Sequence, residues 1–254
     1  MITKNDIKYF ASLNLKKYRN QEKKFLAEGI KIVTEGIESY YPCELVLVTY
    51  EFAENNENLI KKLKRKNIRI ELLNSPDFQK ISDTKTPQGI IGVFKFEKLI
   101  FYPSKEHPNV IIYVDNVSDP GNLGTILRTC DWFGLSEILI SPQSSEYLNP
   151  KVIRASMGSV FHLTIYDDVD FDVVNKIKSN GYKVICSDLE GENLFNFRFQ
   201  DKCLITLSSE SSGPSKDILS LADKSITIPR VGAAESLNVA VAAGIIISKT
   251  IEHG

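Results

Sequence analysis

Asn122 and Arg128 stand six residues apart in DNVSDPGNLGTILRTCDWFG (115–134), where a β-prone run turns toward a helical one. A guanidinium fork matches phosphate oxygens, so an Arg near such a turn can recognise a phosphate. An Arg in the second turn of a helix can equally reach into solvent. Asp119-Pro120-Gly121 is a turn sequence, and the spacing predicts Asn122 as the N-cap of a helix over Leu123–Phe133. Two later stretches share this build. LSSESSGPS (207–215) gathers small hydroxyl residues around Glu210. Such a loop offers backbone N–H and C=O groups to a polar ligand, or serves only to let Ser215 cap the next helix. IPRVGAAESLNVAVAAGIII (228–247) turns at Pro229 and Gly232, and its Ser236 is predicted to cap a helix opening with Leu237 and Asn238. The small run AVAAG (240–244) lets a neighbour pack closely. Neither the Gly-Lys-Ser/Thr of a phosphate-binding P-loop nor a GxGxxG fingerprint is present. Open α/β sheets bind ligands in loops at the carboxyl ends of strands, so three such loops point to one composite pocket.

Positioning those loops requires a sheet. VIIYVD (110–115), EILIS (137–141), HLTIY (162–166), KVICS (183–187), CLITLS (203–208) and SITIP (225–229) read as short apolar strands. Helical stretches alternate with them at 122–133, 150–157, 170–179, 215–222 and 236–251. That alternation predicts a mainly parallel sheet covered on both faces. KLIFYPSKEHPN (98–109) reads as an interdomain linker. Before it, ELVLVT (44–49), IRIELL (68–73) and GIIGVFKF (89–96) read as strands, and NENLIKKLKRKN as an amphipathic helix. SPDFQKIS starts a helix with Ser75 as N-cap, and FLAEGIKIVTEGIES is expected to be helical throughout. The first domain is thus a small α/β sandwich.

The 254 residues carry a net charge of -1, which hides an asymmetry: residues 1–98 hold 18 basic and 13 acidic side chains, residues 99–254 hold 13 and 19. A basic amino-terminal half can attract a polyanion, or present ordinary solvated helix faces. Cys43, Cys130, Cys186 and Cys203 form no CxxC pair and read as buried free thiols of a reducing cytosol. The three histidines have no metal-ligand spacing, and no apolar run reaches a membrane span. The opening MITKNDIKYF is not a secretory leader, so a cytoplasmic location is expected.

The three stretches together resemble the motifs of the SpoU (TrmH-like) RNA 2′-O-ribose methyltransferases of the SPOUT superfamily. The first motif, roughly Asp-Asn-Val-x-Asp-Pro-x-Asn-x-Gly-x-x-x-Arg-Thr, is matched from Asp115 through Thr129. The second, roughly Gly-x-Glu-Gly-x-Gly, is matched at Glu210 and Gly213. The third, Ile-Pro-x-x-Gly-x-x-Glu-Ser-Leu-Asn-Val-x-x-Ala, is matched from Ile228 through Ala242. RASMGSVFHL (154–163) is also similar to a family segment. The likeness covers the whole second domain. More weakly, KKYRNQEKKFLAEG and SDTKTPQGIIGV are similar to the substrate-binding domain of rRNA-directed members, which resembles a small ribosomal protein.

That resemblance implies residues 1–98 as an RNA substrate-binding domain, 99–109 as linker and 110–254 as a catalytic α/β domain with a deep trefoil knot. It implies a homodimer and bound S-adenosylmethionine, with Ser208, Glu210, Gly213, Ile228, Pro229 and Leu237 around the cofactor. Methyl transfer to a ribose 2′-hydroxyl of RNA, ribosomal (23S) in preference to transfer RNA, would then fall to Arg128, Asn122, Ser236 and Asn238. Arg128 would meet the target, in one arrangement from the opposite subunit. The family reading makes it a general base; with a pKa above about 12 it is better suited to grip a phosphate. Lys16, Lys17, Arg19, Lys23, Lys24 and Arg154 would hold RNA backbone. Ser208 and Ser211 stand where the family has glycines, which leaves open weaker cofactor binding or a rearranged loop. It also leaves open a non-catalytic RNA-binding member. A nucleotide-dependent enzyme of the ordinary doubly wound type lacks its glycine fingerprint here, and the Asn122–Arg128 pair resembles the ribose-directed rather than the base-directed branch.

Overall fold

A computed structural model describes residues 2–209 and 213–251. In chain order it contains α1 (Lys4–Ser12), α2 (Lys16–Glu22), β1 (Lys24–Glu28), α3 (Ile30–Glu38), β2 (Cys43–Thr49), α4 (Tyr50–Asn55), α5 (Glu57–Arg65), β3 (Ile70–Leu73), α6 (Ser75–Ile81) and β4 (Ile90–Lys95). There follow β5 (Val110–Asp115), α7 (Pro120–Trp132), β6 (Glu137–Ile140), α8 (Pro150–Ala155), β7 (Thr164–Tyr166), α9 (Phe171–Ser179), β8 (Lys183–Asn193), β9 (Cys203–Ser208), α10 (Lys216–Leu221), β10 (Lys224–Thr227) and α11 (Val239–Ile251). Among the described residues, no helix is long and apolar enough to cross a membrane.

Two compact units divide the chain: Met1–Glu97 with Leu148–Phe161, and Lys98–Tyr147 with the remainder from His162. The first unit has a four-stranded sheet in the order β1-β4-β2-β3. Strand alternation sends Leu45 and Leu47 into one core with Phe10, Phe78 and Ile91, and Val46 and Val48 into another with Val33, Phe52 and Leu63. Phe25–Glu28, expected to be helical, is instead an edge strand antiparallel to β4. Gly29, at φ 107, separates it from α3, a backbone value that an L side chain rarely adopts. Apolar runs as short as FLAE satisfy either period, and here the partner strand decides. The cap of α6 is Asn74, whose side chain accepts from the Asp77 N–H, rather than Ser75.

The RASMGSVF segment, read as part of the second domain, packs in the first unit. Phe161 sits among Phe25, Phe94 and Tyr41, with ring centroids 5.5–6.2 Å away. Nor is the proposed linker a free tether. Phe101 is buried in the second unit's core, Asn180 Nδ2 donates to the Pro103 carbonyl, and the Tyr182 hydroxyl reaches the His107 and Pro108 carbonyls.

All six strands expected in the second unit form one parallel sheet, ordered β10-β8-β9-β5-β6-β7. One face carries Ile111, Tyr113, Val184 and Leu204 against Val174, Ile177 and Ile218 of α9 and α10. On α7, Leu123, Ile126, Leu127 and Cys130 are buried, and α11, which packs on α7 and β9, buries Ala243, Ile246 and Ile247. Cys130, Cys186 and Cys203 are free and buried, and desolvation pushes the Cys186 thiol to about 11 and the Cys203 thiol to about 12. Cys43 is free and half-buried.

Candidate active site

The carboxyl-terminal ends of β5, β9 and β10 point the same way in the parallel sheet of the second unit. β5 and β9 run in register so that Asp115 faces Ser208, and β10 ends at Thr227 on the far side of β8. Between Ser187 and Gly191 the chain bulges out of β8: Ser225 pairs with Cys186 but Ile226 with Glu192. Gly191 permits this, since any Cβ there would collide with the Ile226 backbone.

Above these ends is a cavity of about 600 Å³. That volume suits a medium-sized organic ligand. Leu207, Ile226, Ile228, Leu237, Val239 and Ile246 give it apolar walls, and Asp188, Ser208, Arg230 and Glu235 add polar groups. Ser208, Gly213, Ile228, Pro229 and Leu237 all line it, so five of the six expected cofactor residues converge there. The sixth, Glu210, lies outside the described residues, as does Ser211. Ser208 is an ordinary strand residue, not one needing a left-handed backbone. Gly213 does need one, at φ 63. The Ser-for-Gly departure at 208 therefore costs no backbone strain.

Asp115 pins the second loop. Its carboxylate is fully buried, with Oδ2 accepting the Ser215 N–H (3.1 Å) and the Ser208 hydroxyl (3.5 Å), while Oδ1 has no partner among the described residues. Burial raises its pKa above the ordinary carboxylate value, against hydrogen bonds from the Ser215 backbone and from the Ser215 and Ser208 side chains. The unfolded chain ionises at the ordinary value. Folding therefore becomes less favourable as pH rises from about 4 through the folded pKa, and is unpenalised below. Asp115→Asn, which cannot ionise, is expected to melt higher than the parent at pH 8, with the gain gone by about pH 4. A gain that is independent of pH in thermal melts would show that ionisation plays no part.

The first and third loops meet directly. Asn238 Nδ2 donates to Asn122 Oδ1 at 2.9 Å, beside the cavity residues Leu237 and Val239. Asn238 Oδ1 accepts from the Ala240 N–H (3.0 Å) and more weakly from that of Val241 (3.4 Å). Asn238, not Ser236, thus caps α11, and Ser236 stays exposed on the cavity lining. Likewise Asp119 rather than Asn122 caps α7, accepting from the Asn122 N–H at 2.8 Å. Pro120 occupies the first helical position, and its fixed φ explains the earlier start. Relieved of capping, Asn122 turns its amide toward the third loop. Asn116, at φ 57, and Val117 are held from below by the Ser141 and Ser144 hydroxyls. Arg128 is exposed on α7, and Asn122 is half-buried on the same helix.

The expected RNA-contacting residues all lie in the first unit and differ in availability. Lys16, Lys17 and Lys23 are exposed. Lys24 is ion-paired to Glu44 at 2.7 Å, and Arg154 to Asp83 at 2.8 Å. Arg19 does not fit the role: it is 2 % exposed and donates to the Leu13 carbonyl at 2.9 Å, holding the turn between α1 and α2. A charged residue on a basic helix reads as solvated from sequence, and only packing reveals the exception.

Asp188 and Asp115 were not singled out as site residues. Asp115 ends β5 and Asp188 follows the apolar run KVICS at the bulge of β8, so each stands where an apolar run gives way to polar residues.

Against known proteins, residues 109–248 match the model of the SpoU rRNA Methylase family, and residues 4–92 match the MRM3-like substrate binding domain. The 23S rRNA (guanosine(2553)-2′-O)-methyltransferase RlmP of Bacillus subtilis is 29% identical over 242 residues, 95% of this chain and 94% of its own. Among solved structures, a protein of the TrmH family of RNA methyltransferases from Porphyromonas gingivalis superposes with a TM-score of 0.84 at 30% identity, covering both chains fully. An AdoMet-bound rRNA methyltransferase from Sinorhizobium meliloti superposes with a TM-score of 0.86 at 25% identity, over all of this chain and 96% of that one.

Proposed function

Because the chain belongs to the SpoU rRNA methylase family, we propose that it transfers a methyl group from S-adenosylmethionine to a ribose 2′-hydroxyl of ribosomal RNA, with 23S RNA as the substrate class. The observation that carries the reading is the Asn238–Asn122 hydrogen bond beside the cavity. It joins two motifs 116 residues apart at the edge of a ligand-sized hollow. The apolar walls suit an adenine ring, and the polar groups and loop backbone suit a charged amino-acid tail. Ser208, Gly213, Ile228, Pro229 and Leu237 are the residues that would hold the cofactor. When bound, it supplies an already activated methyl group.

The chain's own task is therefore alignment and proton removal. Asn122 and Asn238 fix each other and present amide groups to the sugar. Ser236 adds a hydroxyl on the cavity wall. Arg128 neutralises the phosphate next to the target ribose, and that phosphate or water takes the 2′-hydroxyl proton. We take the working form to be a homodimer in which Arg128 serves the partner's cavity. The knot that the resemblance implies would lie in the path from β9 through β10 to α11. Lys16, Lys17 and Lys23, exposed on a unit matching a substrate-binding domain, support an RNA grip there. The cytoplasm is the compartment this reading implies.

The test is incubation of the full chain with protein-free 23S RNA and methyl-labelled cofactor, then mapping of ribose methyls. A 2′-O-methyl blocks alkaline cleavage at that nucleotide, so a single new alkali-resistant position in 23S RNA is expected. In a parallel incubation with bulk transfer RNA, label entering that RNA and not 23S RNA moves the substrate class. No heat on titration with millimolar S-adenosylmethionine favours a non-catalytic RNA binder.

A further inference from the structure

The second and third loops do not supply the whole lining of the cavity. The bulge of β8 also reaches it, through Ser187, Asp188 and Leu189. Residues 187–191 stand out between the pairs Ser225–Cys186 and Ile226–Glu192. Both ends of this excursion are tied down. Before it, Cys186 pairs with Thr206 of β9 as well as with Ser225 of β10. After it, Lys224 Nζ donates to Glu192 Oε1 at 2.6 Å, and the Leu194 N–H to the Thr227 carbonyl at 2.9 Å. Asp188 Oδ1 accepts the Leu189 N–H at 2.6 Å, and among the described residues no basic side chain pairs with this carboxylate. An ionised carboxylate only accepts hydrogen bonds, so a ligand beside it must bring donors.

We propose that Asp188 is a specificity residue for the cofactor, its carboxylate accepting hydrogen bonds from the ribose diol of S-adenosylmethionine. This rests on the cofactor reading above and assigns which part of that molecule meets the β8 bulge. Charge and position divide the cavity. Among the described residues that line it, the charged ones are Asp188, Arg230 and Glu235. Arg230 and Glu235 both belong to the third loop, beyond the end of β10 at Thr227. A cation and an anion together suit the carboxylate and ammonium of an amino-acid tail. Asp188 instead comes off the strand that runs between β9 and β10, whose Leu207 and Ile226 are apolar lining. Those walls suit the adenine ring, and the donors nearest to that ring are the two ribose hydroxyls. Acids at the ends of parallel strands take ribose hydroxyls in dinucleotide sites on the same grounds. The anchored bulge holds the carboxylate in place before the ligand arrives, so little ordering is left to binding.

The test is calorimetry on the full chain with three probes: S-adenosylhomocysteine, its 2′,3′-dideoxy derivative, and 5′-methylthioadenosine, which keeps base and ribose but has no amino-acid tail. Asp188→Ala is expected to weaken S-adenosylhomocysteine binding about 30-fold, the worth of hydrogen bonds to a charged group. The wild-type chain should lose a similar factor, about 30-fold, on the dideoxy probe, and the alanine variant less than about threefold. 5′-Methylthioadenosine should weaken as much as S-adenosylhomocysteine does when Asp188 is replaced. Asp188→Asn keeps the shape of the side chain and one acceptor but not the charge, and should fall between wild type and alanine. It also guards against a bulge that alanine alone disturbs. An alanine variant that binds as tightly as wild type overturns the proposal, as does one that still discriminates against the dideoxy probe about 30-fold. If the substitution weakens S-adenosylhomocysteine but not 5′-methylthioadenosine, the carboxylate serves the amino-acid tail and the ribose assignment is wrong. A wild-type chain that gives no heat with S-adenosylhomocysteine or S-adenosylmethionine defeats the parent reading instead, and that result is distinct from every outcome of the variants.

Discussion

Arg128→Ala lowers kcat/KM for RNA methylation by about 10³-fold while leaving S-adenosylmethionine binding within twofold. The size follows from losing a charged donor aimed at a phosphate beside the reacting oxygen, where single preorganised donors are worth about 10²–10³ in rate. Fold stability should not move, because Arg128 is exposed on α7 and the helix is held by Leu123, Ile126 and Leu127 on its other side. Arg128→Lys separates the two roles open to this side chain. If the positive charge matters, lysine restores much of the rate, and the pH–rate curve stays flat from pH 7 to 9 in both proteins. If proton abstraction by the side chain matters, the lysine variant gains rate as pH climbs toward its own pKa of about 10.4, which the arginine enzyme cannot do in that range. A mixture of Arg128→Ala and Asn238→Ala proteins tests which cavity Arg128 serves. In a mixed dimer, one cavity regains both groups only if the arginine crosses from the partner. Recovered activity supports a shared site, and a mixture as inactive as its parts places Arg128 beside its own Asn238.

The sheet of the second unit was readable in advance because each strand begins as a short apolar run ended by Gly, Pro, Ser, Asn or Asp. All six are present, β8 running past the expected 187 to Asn193, with Asp115 and Ser208 in register at the end from which the loops spring. Convergence of Ser208, Gly213, Ile228, Pro229 and Leu237 on one hollow follows from the loop rule. Finer assignments depended on competition that a linear pattern does not encode. Asp119 and Asn122 are both competent caps, and Pro120 decides between them. Ser236 and Asn238 are both competent too, and the Asn122 amide settles the matter by accepting from Asn238. In the first unit, Phe25–Glu28 became a strand because β4 offered an edge, and Arg19 became a buried tie because the Leu13 carbonyl lay within reach. At Phe25–Glu28 and Asn238 tertiary partners override local preference, whereas at Asp119 and Arg19 residues close in sequence decide.

Asn238 does two jobs, and substitutions can divide them. Asn238→Ala removes the α11 cap and the donor to Asn122 together. Loss of the cap costs about 1 kcal/mol, a fall in melting temperature of about 2–4 °C for a domain of this size. Methyl transfer should fall about 10²-fold, within the coupling range of a contacting polar pair. Asn238→Asp keeps an oxygen for the Ala240 N–H and places a negative charge at the helix N-terminus, where the dipole favours it. Melting temperature should hold. The aspartate, however, faces Asn122 Oδ1 with no hydrogen to give, so the pair survives only if the Asn122 amide rotates by half a turn. Rotation exchanges the NH₂ and carbonyl that Asn122 presents to the sugar, and the rate should fall nearly as far as in the alanine variant. The double variant Asn122→Ala/Asn238→Ala should be scarcely slower than either single one, because the two amides act as one unit. Wild-type turnover in Asn238→Asp would reduce the pair to a structural staple and leave the chemistry to Arg128 and the cavity alone.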